Sequence, residues 1–111
     1  MEYRKFGDAY IVRLDRDEEI LAQLKIFAEK EQVKLASVTG LGAVKDFTVG
    51  VFDSSAKAYK SNRFQGVYEI VSLVGTINTM NDAFYCHPND TITAISTCAP
   101  PTRRATLSAG I

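Results

Sequence analysis

The sequence predicts an α/β fold of the α+β type, in which a mainly antiparallel sheet carries one main helix on a face. The first observation is a helical periodicity of apolar residues over residues 16–32. The second is a series of strand-like segments after that helix, and the third is that only short turns separate them. A strand, a helix and then several closely connected strands favour an antiparallel sheet. At 111 residues, the chain is long enough for one hydrophobic core but not for two.

The first strand and the helix have the clearest local signals. Residues 10–14 (YIVRL) alternate large apolar residues with others and predict a strand. Asp15 stands three residues before Glu18, which is the spacing of a capping box, so we expect a helix over about residues 16–32. One stripe of this helix is apolar and should face the core: Ile20, Leu21, Leu24, Phe27 and Ala28.

Two glycines divide the next apolar segment. Residues 33–40 (VKLASVTG) predict a second strand, and residues 43–53 (AVKDFTVGVFD) predict a third. Gly40 and Gly42 lie at the junction, where glycine allows a positive φ angle or a close backbone approach, so we expect a structural turn at both positions. No helix follows, and the full glycine pattern of a phosphate-binding loop is absent, so we do not expect a phosphate site.

The remaining strands follow one another closely. Residues 54–58 (SSAKA) predict a turn, and residues 59–66 (YKSNRFQG) predict a short polar strand at a sheet edge. Residues 67–77 (VYEIVSLVGTI) are strongly apolar and predict a central strand. A turn at residues 78–82 and the start of another strand at residues 83–87 (AFYCH) complete the ordered pattern.

Composition narrows the function classes. Thirteen basic and thirteen acidic side chains give a net charge of zero, whereas a free-standing nucleic-acid binder usually carries a basic surface. No apolar run is long enough to span a bilayer, and the N-terminal residues lack the apolar segment of a secretory signal, so we expect a cytoplasmic protein without a membrane partner. Cys86 and Cys98 are too few for a disulfide framework, and their spacing fits no zinc ribbon.

Four stretches together resemble the plants and prokaryotes conserved (PPC) domain. They are YIVRLDRDEEILAQLKIFAEKEQV, ASVTGLGAVKDFTVGVFD, YEIVSLVGTI and FYCH, which come in the family's order and cover about residues 3–87. The resemblance implies a PPC-like fold with a mainly antiparallel sheet and assembly into homotrimers. Residues 1–87 would then be an incomplete PPC-like domain, and residues 88–111 would be an atypical tail.

The resemblance leaves three functions open. The first is a DNA-binding regulatory domain of unproven biochemical activity; the AT-hook that plant members carry is absent, and no DNA-binding residue can be assigned. The second is a metal-dependent small-molecule binder or enzyme, built at a trimer interface around three histidines that hold zinc or another divalent cation. The third is a pure oligomerisation module or an inactive truncated product. We do not expect an enzyme, and we identify no catalytic residue.

His87 is the residue that connects the chain to the family's metal site. The resemblance places it at the first of the three histidines, but Pro88 and Asn89 follow where leucine and histidine are typical. His87 is also the only histidine in the sequence, and one imidazole does not hold a zinc ion. We therefore expect a broken metal site at His87 and no cofactor in this chain.

The tail has an interpretation at the level of the coding sequence. Residues 94–111, back-translated and shifted back by one nucleotide, permit a peptide with the family's H-L-H and G-G-H histidines at the right spacing. We therefore predict that the reading frame shifts between Cys86 and Ala94, so that the tail is out-of-frame translation. The alternative is a genuine, divergent polar tail, and sequencing the DNA across codons 80–111 distinguishes the two.

Overall fold

The computed structural model describes residues 1–88, 93–96 and 106–110. In that part of the chain, seven strands form one sheet, and a single helix packs against one of its faces. The helix is α1 (Ile20–Glu31), and the strands are β1 (Glu2–Phe6), β2 (Ala9–Arg13), β3 (Ala36–Asp53), β4 (Ala58–Met80), β5 (Ala83–Pro88), β6 (Thr93–Ser96) and β7 (Thr106–Gly110).

The sheet has the order β1-β2-β7-β3-β4-β5, and β6 pairs with β4 off this path. Every pairing among the described strands is antiparallel, so the predicted fold class is confirmed. Strand β1 was not predicted, because EYRKF is polar and four of its five side chains are exposed. No helix among the described residues is long and apolar enough to cross a membrane.

The core lies between α1 and the face of the sheet that α1 covers. Alternate residues of β2, β3 and β4 point into it, as period-2 strands require. The ring of Phe27 lies fully buried at the centre of this core. It meets the rings of Tyr3 and Tyr10 edge-on, at centroid distances of 5.1 and 5.0 Å. The buried apolar residues are Tyr10, Val12, Leu14, Leu24, Phe27, Ala28, Val33, Ala36, Val38, Ile70, Leu73 and Ile77.

Helix α1 begins four residues later than its sequence predicts. The Glu18 carboxylate accepts a hydrogen bond from the Asp15 N–H at 2.8 Å, as in a capping box, but this pair closes a turn that precedes the helix. Asp17 has a left-handed φ of 69°, which no α-helix tolerates in its interior. The actual N-cap is Glu19, whose side chain accepts from the N–H groups of Leu21 and Ala22 at 3.0 and 2.6 Å.

The apolar stripe of α1 is only partly core. Leu24, Phe27 and Ala28 are buried and Ile20 packs against them, as predicted, but Leu21 is 42% exposed. Leu21 lies in the first turn of the helix, at the N-terminal end, where the helix stops covering the sheet.

The predicted turn at Gly40 and Gly42 is wrong. Strand β3 runs through both glycines without a break, and the register with β4 shifts between Gly40 and Gly42, where Leu73 and Ile70 are their partners. This shift is a β-bulge, and Gly42 is the residue with the positive φ, at 144°. A bulge bends a strand and changes its twist while the ladder continues on both sides, so the glycines redirect β3 instead of ending it.

Strands β3 and β4 form one long hairpin. The predicted turn after Asp53 is present, but the separate strands predicted at residues 59–66 and 67–77 are one strand, β4. The second half of β4 is central, as predicted, because it pairs with β3 on one side and with β5 and β6 on the other. Residues 46–53 and 58–65 pair only with each other among the described strands, and we call this two-stranded ribbon the arm.

The chain after β4 returns to the sheet. Asn81 and Asp82, both with positive φ, make a two-residue turn of the kind that suits a hairpin, and β5 then pairs with the end of β4. The backbone of β6 pairs with β4, and that of β7 lies between β2 and β3. The predicted atypical tail, residues 88–111, otherwise lies outside the described residues, and the predicted frame shift stays a prediction.

Candidate functional site

A large cleft opens beyond the N-terminus of α1, on the side of the sheet that the helix covers. Its volume is about 760 Å³, which falls in the range of small-molecule sites. Apolar side chains make up its walls, and charged side chains surround its mouth. The apolar wall residues are Leu14, Ile20, Leu21, Leu24, Val38, Ala43, Val44, Phe47, Val67, Ile70 and Leu73.

The cleft exists because the helix is shorter than the sheet beneath it. Since α1 begins at Ile20, residues 15–19 form an irregular segment that lines the cleft, and the helix does not extend over the root of the arm. The register of β3 shifts again between Val44 and Asp46, where the arm leaves the sheet. The late helix start and this second irregularity therefore leave an uncovered apolar hollow between the helix and the arm.

Three aromatic rings pack together at the root of the arm. The rings of Phe47 and Phe64, which pair across the hairpin, are stacked at a centroid distance of 5.4 Å. Tyr68 meets Phe47 edge-on at 5.2 Å and Phe64 at 6.3 Å. Such contacts contribute about 0.5–1.5 kcal/mol per pair beyond area burial, so the root of the arm is held in place.

Charged side chains at the mouth of the cleft form ion pairs. The Arg63 guanidinium donates to both Asp46 carboxylate oxygens, at 2.9 and 2.5 Å, and Lys45 pairs with Asp17. Hydrogen bonding to Arg63 lowers the pKa of Asp46, and hydrogen bonding to Lys45 lowers the pKa of Asp17. The N-terminal amine lowers the pKa of Glu18 in the same way, through a 2.8 Å hydrogen bond.

These lowered pKa values predict acid sensitivity. A carboxyl group whose pKa is lower in the folded state stabilises the fold above its unfolded pKa, and this contribution disappears as the pH falls through the folded pKa. The ordinary pKa values are 3.8 for Asp and 4.5 for Glu, so we expect the thermal midpoint to fall as the pH decreases below about 4.5. Thermal unfolding followed by circular dichroism between pH 6 and pH 2.5 measures this.

The variant Asp46→Asn separates this effect from general acid denaturation. We expect it to unfold earlier than the wild type at pH 6 and to lose less of its thermal midpoint between pH 5 and pH 3. Asp8→Asn, in the exposed turn between β1 and β2, is the matched control and should keep the wild-type acid profile. Equal acid losses in Asp46→Asn and the wild type would show that the Arg63 pair does not act in this way.

Cys86 is the one thiol among the residues whose side chains the structure describes, and it lines the cleft. It is half-buried, and burial raises the pKa of its thiol. The thiol is therefore protonated at neutral pH, whereas nucleophilic chemistry requires the thiolate.

The predicted metal residue does not form a described metal centre. The backbone of His87 lies in β5 opposite Thr76, and its side chain lies outside the described residues. Among residues 1–88, 93–96 and 106–110, no group of three His, Cys, Asp or Glu side chains is placed to hold a metal ion. The sequence has one histidine, so the residues present do not fit the three-histidine site that the resemblance implies.

Sequence reasoning missed the cleft because its lining comes from segments far apart in the chain. The sequence placed Leu21 on the apolar stripe of the helix, and only the structure shows that it lines the cleft and is not buried in the core. Gly40 and Gly42, the other residues singled out from the sequence, shape β3 and are not among the residues that line the cleft.

Large apolar side chains are exposed in two further places. Ile11, Leu41 and Val74 lie on the face of the sheet opposite α1, which we call the outer face. Near the tip of the arm, Phe52 and Tyr59 form an exposed cross-strand pair. Clustered exposed apolar side chains mark interaction surfaces more often than isolated ones do.

Solved structures share this fold. A "putative DNA-binding protein" from Bacteroides thetaiotaomicron has 27% identity and a TM-score of 0.83, covering 98% of this chain and 82% of that one. One described in the same words from Ralstonia eutropha has 18% identity and a TM-score of 0.81, covering 97% and 81%. A "metal-containing protein" from Archaeoglobus fulgidus has 21% identity and a TM-score of 0.75, covering 98% and 81%. No curated protein matches the chain.

The family itself is identified by a match over most of the sequence. Residues 1–100 match the Plants and Prokaryotes Conserved (PCC) domain, the family that the four sequence stretches resemble. The match covers β1 to β6 and therefore the helix, the bulged strand and the long hairpin. The chain belongs to the plants and prokaryotes conserved domain family.

Proposed function

We propose that this chain is a cytoplasmic regulatory domain that works as a homotrimer and associates with DNA. The observation that carries the proposal is the uncovered apolar surface, on the outer face and on the arm, which a monomer would leave in water. Copies of the same chain are the simplest cover, because closed homo-oligomers are the commonest protein assemblies. The likeness to the Bacteroides protein supports the association with DNA.

The charge distribution sets the expected mode of DNA association. Several basic side chains are neutralised by ion pairs within the domain, among them Arg13 with Glu2, Lys60 with Asp53 and Arg63 with Asp46. Acidic side chains also balance the basic ones over the whole sequence, so one subunit has no net attraction for phosphates, and the affinity of a monomer should be low. An assembly multiplies the contacts along one duplex, which raises the effective affinity without any new contact type.

The test measures assembly and DNA retention on the same sample. We expect light scattering coupled to size exclusion to give a mass of three chains. We expect retention on a DNA column at about 50 mM salt and release by about 200 mM, since phosphate contacts weaken steeply over this range. A monodisperse monomer or a polydisperse aggregate would refute the homotrimer. Passage through the column at low salt would refute the association with DNA.

A second candidate function is small-molecule binding in the cleft. The observation that favours it is the volume of about 760 Å³ with mostly apolar walls. The metal-dependent form of this function, with zinc or another divalent cation, would require all three histidines, so it applies only to relatives that carry them. An apolar fluorescent dye tests the metal-free form: its binding should be lost in Val67→Arg, in the cleft wall, and kept in Ile26→Arg, on the exposed side of α1.

A further inference from the structure

The arm lacks the packing contacts that a two-stranded ribbon normally needs to be stable. A two-stranded ribbon is marginally stable in water at best, and it needs a third strand or a packed face. Among the described residues, residues 46–53 and 58–65 have neither a third strand nor a helix against them. The aromatic contacts hold only the root, so the outer half of the arm requires a partner.

The side chains near the tip indicate what kind of partner this is. Phe52 and Tyr59 face each other across one side of the arm, and they are 59% and 67% exposed. Val51, on the opposite side, is 62% exposed. Apolar groups on both sides cannot all rest on a flat surface, and a recess that encloses the tip buries them better.

The cleft has the matching properties. It is an apolar hollow of about 760 Å³, and its charged lining contains five carboxylates and three cations. The tip carries Lys57 and Lys60; Lys60 pairs with Asp53, so the net charge of the tip is that of one lysine. Even with the N-terminal amine counted as a fourth cation, carboxylates outnumber cations around the cleft, so the cleft and the positively charged tip are electrostatically complementary.

One chain cannot bring its own tip to its own cleft. The arm begins at the cleft wall, at Phe47, and the turn after Asp53 lies roughly 24 Å away by the rise of an extended strand. The strands between them are paired throughout, so the arm cannot fold back without breaking its ladder. A second copy offers the same cleft without that cost.

We propose that the tip of the arm of one copy seats in the cleft of a second copy. The contact joins two different surfaces, so it runs head to tail, and contacts of this kind close into a ring when the rotation between copies allows it. This inference rests on the proposed homo-oligomer and names the surfaces that form it.

The first test compares two matched substitutions by light scattering over a range of protein concentrations. We expect Phe52→Asp, at the tip, to weaken association at least tenfold, because a carboxylate would enter an apolar, acidic cleft. Ile26→Asp, on α1 outside the cleft lining, changes a residue of similar exposure and should assemble like the wild type. Circular dichroism at equal concentration checks that both variants keep the helix and the sheet.

The second test locates the contact by crosslinking through Cys86, the thiol in the cleft. In a Cys98→Ser background, Lys57→Cys and a short bis-maleimide should give a covalent dimer at mildly alkaline pH. Adding Cys86→Ser should abolish that dimer. Phe6→Cys in place of Lys57→Cys is the matched control, since β1 supplies no residue to the cleft lining, and it should give none.

The outcomes separate this inference from the proposed function. A wild-type monomer would overturn both. A Phe52→Asp variant that stays assembled would overturn the seating of the arm and leave the homo-oligomer intact. A covalent dimer that persists without Cys86, or a crosslink confined to one chain, would show that the tip does not lie in the cleft of another copy.

Discussion

Replacing Phe27 by Ala is expected to lower the free energy of unfolding by about 3–5 kcal/mol, the usual cost of deleting a buried aromatic side chain. Phe27 is completely buried, and it fills the space between the helix and the sheet. Its ring also holds the rings of Tyr3 and Tyr10, whose hydroxyl groups both donate to Glu31 at the end of α1. The substitution therefore leaves a cavity and loosens the link between the β1–β2 hairpin and the helix.

Urea unfolding at one fixed protein concentration measures this effect, because assembly makes stability concentration-dependent. Ile26→Ala is the matched control: it removes a comparable side chain from the adjacent position, which is 50% exposed. We expect it to cost less than about 1 kcal/mol. Similar losses in the two variants would contradict the placement of Phe27 at the centre of the core.

The helix, the central strand and the fold class could be predicted because their signals are local. The stripe that contains Leu24 and Phe27 repeats at helical spacing, and the apolar run before Ile77 is typical of a central strand, although Val74 of that run is exposed on the outer face. The start of the helix could not be predicted as securely. Asp15 and Glu18 form the expected hydrogen bond, but the left-handed Asp17 delays the helix to Ile20.

The candidate site was far less accessible to sequence reasoning. The cleft depends on where α1 begins and where the arm leaves the sheet, and neither property belongs to a single segment. Phe47 was assigned to a strand without any indication that it would pack with Phe64 and Tyr68 at the root of the arm. The metal prediction concerned His87, whose side chain lies outside the described residues, so it stays a prediction.

The bulge explains how these features depend on one another. Without the register shift at Gly42, β3 would continue straight from the core, and the arm would leave the sheet in another direction. The second irregularity, between Val44 and Asp46, lies at the cleft wall itself. The orientation of the arm, the shape of the cleft and the proposed assembly should therefore all respond to a change at Gly42.

Gly42→Val is expected to destabilise the domain by at least about 2 kcal/mol, since a strained backbone position costs about 1–3 kcal/mol and overpacking costs a similar amount. Gly42 is buried and has a φ of 144°, a conformation that a β-branched residue rarely adopts. Urea unfolding measures the loss, and light scattering should show weaker assembly even where the monomer still folds, because the arm is redirected.

Gly40→Val is the matched control for the backbone argument, because it adds the same side chain two residues earlier in the same strand. Gly40 is not among the residues with a positive φ, so valine there meets no left-handed strain. We expect Gly40→Val to lose clearly less stability than Gly42→Val and to keep the wild-type assembly. If both variants unfold at the same urea concentration, crowding would account for the loss, and the positive φ of Gly42 would not be what shapes the bulge.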